Sequence, residues 1–175
     1  MSYDPAQGKD IVSFLRGKWK RNLEWRHFGG AFQHTRTSNT VIIIEEIDEK
    51  GNVVSAANRE AVQRSSGVAR YLNWSFCSSL AEDEQDIVFG YTMKFIPDGD
   101  EVYLEWTHKG NRCNGRFQSQ SGVMTLNFLT KSSTVMVVYR IMHDDVMAAV
   151  VTEVDGNNDP SLQYGNIYRL NEENY

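Results

Sequence analysis

The chain has 175 residues, enough for one domain with a substantial hydrophobic core, so we expect residues 1–175 to form a single domain. The formal net charge of −5 argues against broad binding to nucleic acid or to an anionic membrane surface. Hydrophobic residues make up 41% of the chain, which excludes a wholly disordered protein. The longest apolar runs, Val41–Ile44 and Val146–Val151, are far too short to span a membrane.

The first residues and the cysteine content bear on the compartment. Residues 1–10 lack the basic start and the apolar stretch of a secretory signal. Two cysteines, Cys77 and Cys113, are too few for a disulfide scaffold. We therefore expect two free thiols in a reducing, cytoplasmic environment, with a single bridge as the alternative.

The N-terminal region predicts one short helix followed by a strand. Asp4-Pro5 is a favourable helix start, residues 11–15 carry an apolar stripe, and Gly17 can end the helix. Over Lys18–His27 the side chains alternate between apolar and charged. This two-residue period is typical of a half-buried strand.

The same alternation recurs in further segments, which are separated by turns rich in Gly, Asn and Asp. In chain order they are Thr40–Asp48, Asn52–Gln63, Val68–Cys77, Ile87–Ile96, Glu101–His108, Arg112–Gln120, Val123–Thr130, Val135–His143, Val146–Glu153 and Leu162–Leu170. We interpret Thr35–Asn39 as a loop or a second helical turn. Nine or ten short strands joined by hairpins predict an all-β fold, an antiparallel up-and-down meander closed into a barrel. A two-sheet sandwich is the alternative, although its crossings need longer connections.

Strand parity places three arginines among apolar side chains, namely Arg21, Arg70 and Arg140. A buried guanidinium group is costly unless it meets a carboxylate partner or an anionic ligand. Candidate internal partners are Glu45, Glu105 and Glu153. The alternative for each arginine is an ion pair on the surface.

Four aromatic residues are candidates for the lining of a ligand cavity: Trp25, Trp74, Tyr91 and Trp106. Simple core packing is the equal alternative for each of them.

Glu153 shares parity with apolar residues of its strand and is a candidate catalytic carboxylate. A surface position at the strand end is the alternative. No histidine or cysteine pair has zinc spacing and no full calcium loop occurs, so we predict no metal site.

The order of these elements resembles the lipocalin and calycin superfamily. Gly17-Lys18-Trp19 opens the first strand after a short helix, a meander follows, and Arg169 lies in the last strand. The resemblance implies a lipocalin-like barrel in which Gly17 and Trp19 are structural. It also implies that Trp19 closes one end of the barrel and that Arg169 packs across its indole.

Three stretches resemble, more narrowly, the S-type phycobiliprotein lyases. They are Phe14–Trp19, Val68–Trp74 together with Gly90–Asp98, and Tyr139–Glu153 together with Asn166–Arg169. The first strand of that family usually reads Ser-x-Arg-Thr-x-His, and Arg21 is displaced by two positions from that pattern. The arginine pair usual in the last strand is Tyr168-Arg169 here.

This resemblance implies a chromophore lyase that holds a linear tetrapyrrole (a bilin) and attaches it to a cysteine of a phycobiliprotein subunit. Arginines would anchor the bilin propionates or the barrel end, and Trp74 and neighbouring aromatics would stack on the ligand. Glu153 would bind pyrrole N–H groups and help to protonate the bilin. The arginines are Arg21, Arg70, Arg140 and Arg169.

We therefore expect the protein to bind an extended, anionic, hydrophobic small molecule, with a bilin as the most specific candidate and no covalently bound cofactor. One alternative is a non-enzymatic carrier or sensor of a fatty acid, heme or a related ligand. Another is a protein–protein adaptor whose barrel is filled by its own side chains. A cavity of about 300 Å³ or more would favour a ligand over the adaptor. A homodimer through an exposed barrel face is a further possibility.

Overall fold

A computed structural model of the chain describes residues 10–27, 34–55, 58, 68–78, 87–98, 101–108, 111–157 and 159–170. Within them the backbone forms ten strands and a short helix, α1, over Ile11–Leu15. The strands are β1 Gly17–His27, β2 His34–Ile47, β3 Arg70–Ser78, β4 Ile87–Asp98, β5 Glu101–His108, β6 Asn111–Gln118, β7 Val123–Leu129, β8 Ser133–His143, β9 Val146–Asp155 and β10 Pro160–Arg169. In this described part no helix is long and apolar enough to cross a membrane.

The ten strands form one closed barrel in which each neighbouring pair is antiparallel. The strands follow one another around the barrel in chain order, and β1 completes the circle by pairing with β10 from Trp19 to His27. Closure satisfies the backbone groups that an open sheet would leave at its edges. The predicted up-and-down barrel with a short N-terminal helix is confirmed, and the two-sheet sandwich is excluded.

Alternate side chains of each strand fill the barrel interior. In β1, Trp19 and Leu23 are fully buried, whereas Lys20 and Asn22 between them are exposed. Leucines, methionines and aromatic residues of the other strands join them in one continuous core, which includes Ile42, Leu72, Trp74, Met93, Phe95, Leu104, Phe117, Met124 and Leu126. The periodicity seen in the sequence is thus the alternation between the interior and the solvent.

Helix α1 covers one end of this barrel. Asp10 caps the helix, since its carboxylate accepts a hydrogen bond of 3.0 Å from the backbone N–H of Val12. The apolar residues of α1 are buried, and the ring of Phe14 lies 5.6 Å from that of Trp19. The predicted helix start at Asp4-Pro5 lies outside the described residues, and the described helix begins after Asp10 instead.

Two segments differ from the sequence-based expectation. Thr35–Asn39 is neither a loop nor a helical turn but part of β2, where its backbone pairs with β1. Within the predicted strand Asn52–Gln63, residues 52–55 form only the isolated bridge between Ile47 and Val53. The Asp48 carboxylate accepts hydrogen bonds from the backbone N–H groups of residues 50 and 52, and this turn brings residues 52–54 back against the end of β2. Position 58 is helical, and the remainder of this segment lies outside the described residues.

The two ends of the barrel can be told apart by the elements that lie there. We call the end at Trp19 and α1 the helix end. The opposite end, which we call the far end, holds the turn from Thr130 to Ser133 and the turn from Asp155 to Asp159. Strand β1 begins at the helix end and β9 finishes at the far end, which fixes the depth of the side chains discussed below.

Candidate functional site

The barrel contains a cavity of about 650 Å³ between its core and the far end. This volume lies within the range typical of small-molecule sites and above the 300 Å³ that separates a ligand site from a filled barrel. The described lining is mainly apolar and aromatic: Phe76, Phe89, Tyr91, Phe128, Val135, Val137, Tyr139 and Val151. The polar or sulfur-bearing lining residues are Arg21, Thr40, Cys77, Thr130, Ser133 and Glu153. The cavity is therefore mainly apolar and carries a few charged and hydroxyl groups.

Arg21 brings a positive charge to the wall of this cavity. It lies two residues after Trp19 in β1, on the inward-facing side of the strand. Its Nη2 donates a hydrogen bond of 2.6 Å to the side-chain oxygen of Gln163 in the adjacent strand β10. Its Nε is buried and has no hydrogen-bond partner among the described residues. An incompletely paired guanidinium group on an apolar wall is suited to an acidic ligand.

Glu153 brings a carboxylate to the same cavity. It precedes Asp155 by two residues in β9 and pairs across the sheet with Val135 and Ser161. Its inward neighbours Met147 and Ala149 are buried, so the parity expected for this carboxylate is the one observed. Ser133 and Thr130 line the cavity in the adjacent turn, where their hydroxyl groups lie 3.2 Å apart.

An aromatic cluster underlies the cavity. Trp74 is fully buried, and its indole stacks on Tyr91, Phe76 and Tyr139 at ring separations of 5.9, 6.4 and 6.2 Å. Trp106 packs edge-on against Phe128 at 5.1 Å. The indole N–H groups of both tryptophans are buried without a hydrogen-bond partner in the described part of the chain. The tyrosines and phenylalanines reach the cavity surface, and the two tryptophans support them from behind.

Three comparisons place this arrangement among known proteins. No family model and no curated protein matches the chain. The solved structure of the S-type phycobiliprotein lyase CPES from Guillardia theta matches with a TM-score of 0.66 and 10% sequence identity, over 98% of this chain and 99% of that chain. The fold is that of an S-type phycobiliprotein lyase.

A second solved structure is similar over part of its length. It is a protein of unknown function from the DUF3598 family of Nostoc punctiforme PCC 73102, with a TM-score of 0.57 and 12% identity. The match covers 91% of this chain and 48% of that one. At these identities the likeness concerns the fold alone and assigns no role to the residues of the cavity.

In this lyase fold Trp19 and Arg169 close the helix end. The guanidinium carbon of Arg169 lies 4.0 Å from the centre of the Trp19 ring, and the indole N–H donates to the carbonyl of Leu15 at 2.8 Å. Arg169 also donates to the carbonyls of Phe14 and Arg16 at 2.7 and 2.8 Å. Gly17 has a φ of +123°, and a Cβ there would lie 3.3 Å from the Arg169 guanidinium. Arg169 therefore holds the barrel end through these contacts.

Arg70 shares the inward parity of Leu72 and Trp74 but lies at the helix end, outside the described lining of the cavity. Its guanidinium group binds both oxygens of Glu46, with distances of 2.7 and 3.0 Å, and pairs with Asp10 as well. Glu46 is 3% exposed. The structure therefore pairs Arg70 with carboxylates of the chain, and its role as a ligand anchor stays a prediction.

The expectation that Arg140 faces the interior is wrong. Its side chain is exposed, as is that of Met142 on the same face, whereas Tyr139 and Ile141 point inward and are buried. Both faces of β8 are apolar, so parity alone did not tell which one is inside. The inward face is the one that carries Val135, Val137 and Tyr139.

Three of the predicted aromatic residues do not line the cavity among its described residues. Trp74 and Trp106 lie in the core behind it, and Trp25 is half-buried in β1. Tyr91 does line the cavity.

Glu45 and Glu105, which were expected as internal partners of the arginines, are exposed. The buried carboxylate is Glu46, which parity with Ile42 and Ile44 could have indicated.

Tyr139, Gln163, Ser133 and Thr130 were not singled out from the sequence. Tyr139 alternates with Val137 and Ile141, so a correct choice of the inner face of β8 would have found it.

The two thiols are unbridged, as expected, and burial raises the pKa of both Cys77 and Cys113. Across the described residues no His, Cys, Asp or Glu side chains are grouped in threes to hold a metal ion.

Proposed function

We propose that this protein binds a bilin in the barrel cavity and presents it for attachment to a cysteine of a phycobiliprotein. The observation that carries the proposal is Arg21, which lines a mainly apolar cavity of about 650 Å³ and has no carboxylate partner among the described residues. The match of the whole chain to the fold of an S-type phycobiliprotein lyase supports the same ligand class. The volume disfavours an adaptor with a filled interior.

The chemistry of a bilin corresponds to that of the cavity. A linear tetrapyrrole is long, flat and conjugated, carries propionate groups and has pyrrole N–H donors. Aromatic walls such as Phe89, Tyr91 and Phe128 offer flat contact area, and Arg21 offers a counter-charge for a propionate. Glu153 offers a carboxylate acceptor for the pyrrole N–H groups at the far end.

In the attachment reaction the client thiol adds across a carbon–carbon double bond of the bilin. One carbon–sulfur bond forms, the double bond is lost, and the proton that leaves the thiol is matched by a proton gained on the bilin carbon framework. Glu153, hydrogen-bonded to the pyrrole system, would help to protonate the conjugated bilin and so make it more electrophilic. The barrel would hold the bilin in one conformation and exclude water, which is catalysis by orientation.

Titration with phycocyanobilin tests the binding step. We expect an intensified, red-shifted absorption band, because a cavity that extends the bilin changes its conjugation, and a Kd below about 100 µM. The second step is tested by incubating the loaded protein with an apo-phycobiliprotein subunit and measuring covalent attachment by denaturing electrophoresis and fluorescence.

Glu153→Gln separates the two steps. This variant should keep phycocyanobilin binding within about threefold and lower the attachment rate at least about tenfold, since general acid–base catalysis typically contributes 10²–10⁴-fold. Glu105→Gln, at an exposed carboxylate outside the cavity, is the matched control and should retain both. Binding without attachment to any subunit would support a non-enzymatic carrier, and failure to bind any bilin would refute the proposal.

A further inference from the structure

Two buried tyrosines face the same cavity as Arg21. Tyr91 in β4 is 7% exposed and Tyr139 in β8 is 5% exposed, and both line the cavity. Neither hydroxyl group has a hydrogen-bond partner within the described part of the chain. The two phenols therefore supply the cavity with hydroxyl groups that can donate to a bound acceptor.

The two phenols are held against the same side chain, Trp74, and line the cavity together with Arg21. Both tyrosine rings stack on the indole of Trp74, at 5.9 and 6.2 Å and at the same interplanar angle of 24°. Burial raises the pKa of both tyrosines, and the positive charge of Arg21 opposes that rise in each of them. Arg21, Tyr91 and Tyr139 line one cavity, and each side chain carries a hydrogen-bond donor.

No carboxylate in the described part of the chain meets this set of donors. Among the described residues Arg21 has no salt bridge, and its hydrogen bond goes to the neutral side chain of Gln163. Glu153, the acidic residue of the described lining, forms no ion pair with Arg21 in the described part of the chain. The donors are thus left for an acceptor that enters from outside.

We propose that Arg21, Tyr91 and Tyr139 form a carboxylate-binding site, and that a hydrophobic acid sits in the cavity with its carboxylate on these three residues. Two carboxylate oxygens can accept from one guanidinium group and two phenols at once. Glu153, which lines the same cavity, is left for another part of the ligand. The identity of the acid as a bilin rests on the proposed function, but the donor set itself requires only a carboxylate on an apolar body.

Comparison of phycocyanobilin with its dimethyl ester tests the site in the unmodified protein. Esterification keeps the apolar body and removes the negative charge, so the ester should bind at least about tenfold more weakly, as expected when a charged hydrogen bond is lost. The same comparison with dodecanoic acid and methyl dodecanoate uses a ligand unrelated to bilins.

The double variant Tyr91→Phe/Tyr139→Phe removes both hydroxyl groups and keeps both rings. It should bind the acid at least about tenfold more weakly and leave the affinity for the ester unchanged. Tyr164→Phe is the matched control, because the Tyr164 hydroxyl bonds Glu24 and does not line the cavity. Its affinities should equal those of the wild type.

The outcomes distinguish this site from the proposed function. If wild-type protein binds phycocyanobilin and its ester equally well, the carboxylate site is wrong and bilin binding stands. If it binds no bilin but prefers dodecanoic acid to the methyl ester, the proposed function fails and the site stands. If no acid binds more tightly than its ester, the site is refuted whatever the behaviour of the variants.

Discussion

Arginines that share one sequence pattern have three different environments in this barrel. Arg21 lines the cavity and has no carboxylate partner among the described residues, Arg70 is held by Glu46 and Asp10, and Arg140 is exposed. Parity correctly indicates that Arg21 and Arg70 point inward. It cannot indicate which carboxylate reaches them, because Glu46 is brought to Arg70 by the pairing of β2 with β3 and Asp10 by the docking of α1.

Removal of the Glu46 charge should destabilise the fold. Glu46→Gln removes the bidentate carboxylate of Arg70 and leaves Asp10 as its carboxylate partner, so the loss should reach at most about 3 kcal/mol, the lower limit for an uncompensated buried charge. We expect the free energy of unfolding in urea to fall by up to that amount. Glu45→Gln, at the exposed neighbouring position, should change it by less than about 0.5 kcal/mol. Equal effects of the two substitutions would show that the pair does not stabilise the barrel.

Strands are predictable where one face is apolar and the other is polar. β1 has this pattern, and its bounds differ from the prediction by one residue. β8 has apolar side chains on both faces, so its position is predictable but its orientation is not. The beginning of β2 is polar throughout and forms a strand because β1 supplies backbone partners, which no local pattern reveals.

Close contact between β1 and β10 depends on a residue without a side chain at position 165. A Cβ at Gly165 would overlap the carbonyl oxygen of Asn22 and lie 3.2 Å from Cα of Leu23, and both are backbone atoms that cannot turn away. Gly165→Ala should therefore separate the two strands and cost about 1–3 kcal/mol, the usual range for overpacking, in addition to the backbone strain at its φ of +155°.

Gly51→Ala is the control for this substitution. Gly51 has a φ of +87°, but no described atom lies within 4 Å of the place that a Cβ would occupy, so alanine there carries only the backbone strain of about 1 kcal/mol. Thermal unfolding followed by circular dichroism should give a clearly lower Tm for the Gly165 variant than for the Gly51 variant. The reverse order would mean that the β1–β10 contact tolerates a side chain.

At the scale of the whole molecule the meander predicts the barrel, but nothing in the sequence gives its internal volume. A cavity is the difference between the space that ten strands enclose and the side chains that fill it. Large inward residues such as Trp74 and Phe95 fill the interior near the helix end, and smaller ones such as Val151 and Thr40 line the cavity. The choice between a ligand site and a filled adaptor therefore depends on the three-dimensional packing.

Filling the cavity should abolish ligand binding without loss of the fold. Val151→Phe places a ring into space that a bilin would occupy, so we expect the affinity for phycocyanobilin to fall at least about tenfold. Val150→Phe is the matched control because its side chain is 41% exposed on the opposite face of β9. Absorbance titration measures the affinity of each variant for phycocyanobilin, and a thermal unfolding curve shows whether the fold is retained. Unchanged affinity in Val151→Phe would place the bilin outside the barrel.

The pairing of β1 with β10 has a consequence for biosynthesis. Nine of the ten neighbour contacts in the described barrel join consecutive strands, and the remaining one joins the first strand to the last. During translation the emerging polypeptide therefore stays an open ribbon, with the β1 flank unprotected, until residues 160–169 have left the ribosome. A nascent chain arrested before that point would expose a ready template for intermolecular association, which makes completion of β10 the step that commits the newly made protein to solubility.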